Sequence, residues 1–147
     1  MTHKEHRQAM ETALKSILVP DLRARGFRGS FPHFRRQTDD RVDFLSIQFK
    51  RSGGSFCVEI GQTGPDGLTE GPFRDRPVAK LDVTYLKDRL RLGSRPHEGI
   101  SDHWYVFGPA SYDPPAPMSD HDAIARDVVG HVETDGEAWW NTHARTL

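Results

Sequence analysis

Residues 42–61 read VDFLSIQFKRSGGSFCVEIG and constrain the fold of this chain more than any other stretch. Successive side chains of a strand alternate faces, so Leu45, Ile47 and Phe49 point one way while Phe44, Ser46, Gln48 and Lys50 point the other. Across the turn, Phe56, Val58 and Ile60 continue the dry row, with Ser55, Cys57 and Glu59 opposite. Gly53-Gly54 can take the positive φ angles that a tight hairpin turn requires. Two strands are not stable alone in water, so this dry row demands further strands and a covering layer.

The cover is found at the two ends of the chain. Over residues 2–25, Met10, Leu14, Ile17, Leu18 and Leu22 recur at spacings of three and four, the stripe of an amphipathic helix, with Lys4, Glu11, Lys15 and Arg23 opposite. Pro20 lacks a backbone donor and should kink or split that helix near residues 16–19. Gly26 suits the left-handed position after the helix end, where Phe27 can fold back on Leu22. A second helix is expected over 119–134, opened by Ser119 and carrying the stripe Ile124, Val128 and Val132. Asp135-Gly136 ends it, and EAWWNTH forms a last short helix with one Trp in the core and the other partly exposed.

Three further strands are expected. Residues 31–36 form one, with Pro32 marking a sheet edge; 89–93 carry Leu90 and Leu92 inward; 103–107 carry Trp104 and Val106 inward. Residues 62–80 are dense in Gly and Pro without periodicity and read as a long loop, and 108–120 as a Pro-rich connection. The expected fold is α+β: a four- to five-stranded antiparallel meander with an N-terminal and a C-terminal helix packed on one face. A chain of 147 residues suits one domain spanning 1–147.

The succession of a helix ending in RGF, the strand FPHFRR, then FLSIQFKRSGGSFCVEIG, RLRLG, DHWY and a C-terminal helix with a Trp pair resembles the bacterial family known as domain of unknown function 4304 (DUF4304). The Gly-Phe pair, Ile-Gln-Phe and Phe-x-Val-x-Ile-Gly carry the resemblance. It implies a small helix-plus-sheet domain and no particular activity.

The residues argue against several chemistries. Net charge is −1, although residues 1–51 hold eleven Lys/Arg against six Asp/Glu and residues 52–147 hold nine against fifteen. That imbalance is too small for a nucleic-acid footprint. One cysteine excludes a disulfide framework and fits a reducing cytoplasm, and no apolar run is long enough to span a membrane. Eight histidines lack the spacing that gathers metal ligands, so neither metal nor cofactor is expected. No Gly-x-Ser-x-Gly elbow and no phosphate-binding Lys-Ser/Thr motif occurs, and no catalytic residues are assigned. Cys57 is read as a small filler, His103 being the only histidine in register to act as its base.

What remains is the second face of the sheet, where Gln48, Lys50, Glu59, Arg89, Arg91, His103 and Tyr105 share a side if the strands pair in sequence order. From these, Gln48, Glu59, Arg91, His103 and Tyr105 are the candidate binding residues. The expected function is a non-catalytic protein-binding or regulatory module, such as the antidote of a bacterial toxin. The competing reading is a small hydrolase or nucleic-acid-processing enzyme using His103, Glu59 and Arg91.

Overall fold

The computed structural model describes residues 2–108 and 120–144. In chain order these form α1 (His3–Ala13), a π-helical turn (Leu14–Leu18), α2 (Val19–Ala24), β1 (Arg28–Ser30), β2 (His33–Gln37), β3 (Val42–Phe49) and β4 (Ser55–Thr63). Then follow β5 (Arg89–Arg91), β6 (Tyr105–Val106), α3 (His121–His131), a second π turn (Val132–Gly136) and α4 (Glu137–His143). The class is α+β, as expected from the pattern of elements.

Local chemistry accounts for the helices. Thr2 and Glu5 close a reciprocal capping box at the start of α1, each side chain bonding the other's backbone N–H at 3.1 Å. Pro20 has no N–H to offer and its ring would collide with the preceding turn. The chain therefore widens to a π turn, in which the Val19 N–H reaches Leu14 O, and Pro20 enters the first turn of α2. At the far end Gly26 takes φ +96°, its N–H bonding Arg23 O at 3.0 Å while the Phe27 N–H bonds Leu22 O at 2.9 Å. That is the Schellman pair of bonds, with Phe27 folded back on Leu22 as expected.

The sheet is antiparallel in the order β1-β2-β3-β4-β5, and β6 also pairs with β4. Two expectations need correction. The edge is β1, and Pro32 lies in the β1–β2 turn rather than in the edge strand. The meander stops at β5, because nine-residue β4 leaves room beside Ser55 and Phe56 for β6 to add to the same edge.

Helices cover the expected face. Met10, Leu14, Leu18 and Leu22 from the first helix, and Val128, Val132 and Trp140 from the last, pack on Leu45, Ile47, Val58 and Ile60. Each such side chain stabilises the fold by about 1.5–3 kcal/mol through area removed from water. Asp120, not Ser119, caps α3, accepting from the Ala123 N–H at 3.1 Å. Ser119 and residues 109–119 of the Pro-rich connection lie outside the described residues. Gly136 does not end the helix either: the π turn Val132–Gly136 passes the chain into α4, so Trp140 is fully buried while Trp139 is half-buried against His143.

The second face is not open throughout. Leu81, Val83 and Leu86 pack on Val42 and Phe44 to form a separate apolar cluster. The stretch read as a loop over 62–80 thus begins inside β4 and continues, through 3₁₀ turns at Val78–Lys80 and Val83–Tyr85, into a cover for half of that face.

Candidate functional site

Beside that cover the strand registers draw polar residues into one line. His33 pairs with Ser46, Ser46 with Glu59, and Glu59 with Arg91, so β2 to β5 each contribute one side chain to a row across the sheet. Cross-strand partners share a face, which is why the alternation in each strand builds the row. His33 Nδ1 lies 2.8 Å from Ser46 Oγ, and its Nε2 lies 3.9 Å from Asp82 Oδ2. Asp82 caps the next 3₁₀ turn by accepting from the Thr84 N–H at 2.8 Å and from the Thr84 hydroxyl.

At the other end Glu59 accepts from Arg89 and Arg91, each at 3.2 Å. Arg91 also reaches Asp102 at 2.7 Å, and its guanidinium lies 4.9 Å over the Trp104 ring, which the Lys50 ammonium approaches at 5.7 Å. A cleft of about 570 Å³ opens along the row, with Ser46, Gln48, Glu59, His33, Val83 and Thr84 in its walls.

Of the five expected binding residues, Gln48, Glu59 and Arg91 stand on this face, Gln48 exposed opposite Cys57. His103 and Tyr105 do not, and their placement is corrected. In β6, Tyr105 pairs with Phe56, and Phe56 faces the helices, so Tyr105 must as well. Its ring stacks on Phe56 at 5.0 Å and its hydroxyl shares a 2.7 Å hydrogen bond with His131 Nδ1. The inward pair of this strand is thus Tyr105 and Phe107, while Val106 is 56% exposed. His103 packs edge-on against Tyr105 at 4.6 Å and against His131 at 5.9 Å. Gly93, at φ +85°, permits this, since a Cβ there would lie 2.5 Å from the His103 ring. Burial, aided by the charge of His131, lowers the His103 pKa, and burial raises that of Tyr105.

The sheet therefore separates His103 from Glu59 and Arg91, and the constellation on which the enzyme reading rested does not assemble. Cys57 is buried, and burial pushes its thiol up to about 11, so it is protonated at neutral pH. Among the described residues no group of three His, Cys, Asp or Glu side chains converges as metal ligands would. His33, Ser46, Asp82, Asp102 and Trp104 join the site unanticipated. Only Ser46 was hinted at, by the alternation of β3, because register with His33 is a long-range fact.

A family model described as Domain of unknown function (DUF4304) matches residues 18–142. No curated protein and no solved structure matches the chain.

Proposed function

The chain belongs to the DUF4304 family, and on that premise we propose that it is a protein-binding regulatory module that recognises its partner through the polar row. The observation that carries this reading is the state of the charges. Glu59 is held by two arginines, and Arg91 by two carboxylates and an aromatic face. A general acid or base needs a proton to exchange, whereas a recognition surface needs charged groups held in fixed positions before the partner arrives. Arg and Trp side by side are also the residue types that dominate interface energetics. A reducing cytoplasm suits the single buried thiol.

The test is affinity capture with the wild-type chain, followed by calorimetry of the identified partner against Gln48→Ala, Glu59→Ala and Arg91→Ala. Arg91→Ala should weaken binding by about 2 kcal/mol or more. Equal affinity for all three variants would remove the row from consideration.

The hydrolase reading has one specific observation in its favour, the contact between Ser46 Oγ and His33 Nδ1 with Asp82 behind the imidazole. Ser46 would attack a carbonyl while His33 takes its proton. A fluorophosphonate probe decides the matter: labelling that vanishes in Ser46→Ala supports a nucleophile, and absence of labelling in the wild type rejects it.

A further inference from the structure

On one side β3 runs on past the end of its neighbour. The β2–β3 ladder ends at the pair His33–Ser46, followed only by the bond from the Ile47 N–H to Pro32 O at 3.0 Å. On the other side β4 still pairs with Gln48 and Phe49. In an antiparallel strand both backbone groups of a residue point to the same neighbour, and successive residues alternate between neighbours. Ile47 therefore addresses β2, whereas Lys50, whose N–H bonds Ser55 O at 2.9 Å, addresses β4. By the same alternation the N–H and C=O of Phe49 point to the side that β2 has left, and neither has a backbone partner among the described residues. Pro32, moreover, has no N–H to return to the Ile47 carbonyl.

The β1–β2 hairpin turns away at residues 31–32, so it does not cover this edge. The space left is the cleft of about 570 Å³ beside the polar row, which Gln48 and Phe49 line together with Phe31 and Thr84. Its two sides differ. On the helix side the Phe31 and Phe49 rings stand 6.5 Å apart, and on the other Ser46 and Gln48 carry a hydroxyl and an amide. The other strand edges offer less length, since β1 and β5 have three residues each and β6 has two.

We propose that this edge of β3 takes an extended segment of a partner protein as an added strand, its apolar side chains toward Phe31 and Phe49 and its polar ones toward Ser46 and Gln48. In strand addition the main-chain hydrogen bonds supply affinity, and the side chains at alternate positions supply selectivity. An unpaired N–H and C=O at a strand edge are the groups such a segment satisfies. The proposal rests on the polar row as a partner-binding face and names the form in which the partner's chain lies beside it.

The experiment is amide hydrogen exchange of the isotope-labelled full chain by NMR, with and without a capped peptide of about six residues in which valine and threonine alternate. In the free chain the Phe49 amide should exchange faster than those of Ile47 and Lys50, which are bonded. Saturating peptide should slow Phe49 by about tenfold or more. N-methylation of every second peptide residue should weaken binding by about tenfold or more in one phase, where the lost N–H groups face β3, and leave it unchanged in the other. Slow exchange of Phe49 in the free chain, absence of peptide binding, or equal losses in both phases would each overturn the proposal. So would protection of Phe49 that grows with protein concentration, which would assign the edge to a second copy of the chain. The row is tested separately by the captured partner against Arg91→Ala, so either reading can fail while the other stands.

Discussion

Asp43 is fully buried on the helix side of β3, and its carboxylate accepts from Arg36 at 2.8 and 3.0 Å and from Gln62 at 2.7 Å, with Arg41 Nε at 3.3 Å. Arg36 in turn bonds Glu137 at 2.6 and 3.1 Å and lies over the rings of Phe27 and Trp140. Truncating one member of a buried ionic network leaves the others unpaired, so Asp43→Ala should lose about 3–5 kcal/mol in urea denaturation. A loss near the surface-mutation range would show that water reaches the network. Tyr105 gives a second residue-scale test, since its place in the core replaces the expected place on the polar face. Tyr105→Phe should lose about 1 kcal/mol with the His131 hydrogen bond, and Tyr105→Ala about 3–5 kcal/mol with the packing. In the sequence Arg36 and Asp43 look like ordinary exposed charges. The second partner of Arg36, Glu137, is 101 residues away, and no local pattern connects the two.

At the scale of elements, α3 packs on α1 with His6 facing His121, ring centroids 5.8 Å apart, and His131 at its end meets Tyr105 of β6 and His103 just before that strand. His6 is buried, and its Nδ1 has no hydrogen-bond partner among the described residues. Burial first, then the charge of His121, lowers its pKa, as burial and His131 lower that of His103. A histidine with a folded pKa below its unfolded value is protonated more readily in the unfolded chain, so stability falls as pH drops below about 6.5. Urea midpoints should therefore decline from pH 7.5 to pH 5.5, and His6→Leu should flatten that decline. A midpoint constant over this window in the wild type would contradict the pairing. Glu137 acts in a lower window: burial pushes its carboxyl up, but the hydrogen bonds and charges of Arg36 and Arg25 outweigh that and hold it below the ordinary range. Its contribution is present above the unfolded pKa and is lost as pH falls through the folded one. The helices themselves were legible from their stripes and from Pro20 and Gly26. That α3 and α4 run on through a π turn was not, because Asp135-Gly136 carries a stop signal that packing of Trp140 on Phe27 at 5.2 Å overrides.

As a whole, the molecule is one antiparallel sheet with apolar layers on both sides, helices on one and residues 64–88 on half of the other. Val83→Ala should therefore lose about 1–3 kcal/mol despite lying in a segment with the composition of a loop. Native-state hydrogen exchange would then show faster exchange in that segment, with β3 and β4 less affected. An unchanged urea midpoint would mean that the cover adds nothing to stability.

Features encoded by local geometry were legible in the residues: the two-residue period of β3 and β4, the Gly53-Gly54 turn, the 3.6-residue stripe of the first helix and the left-handed cap at Gly26. These depend on residues within a few positions of one another, so the side chains present are enough to specify them. Tertiary structure alone decided the face of β6, where HWYVF has no alternation of apolar and polar residues and the register with Phe56 chooses for it. It alone placed the cover of residues 64–88, whose apolar residues have no period, and the row His33–Ser46–Glu59–Arg91. Pairing across strands is settled by the combined burial of both faces, and the sequence of any single strand carries only its own half of that information.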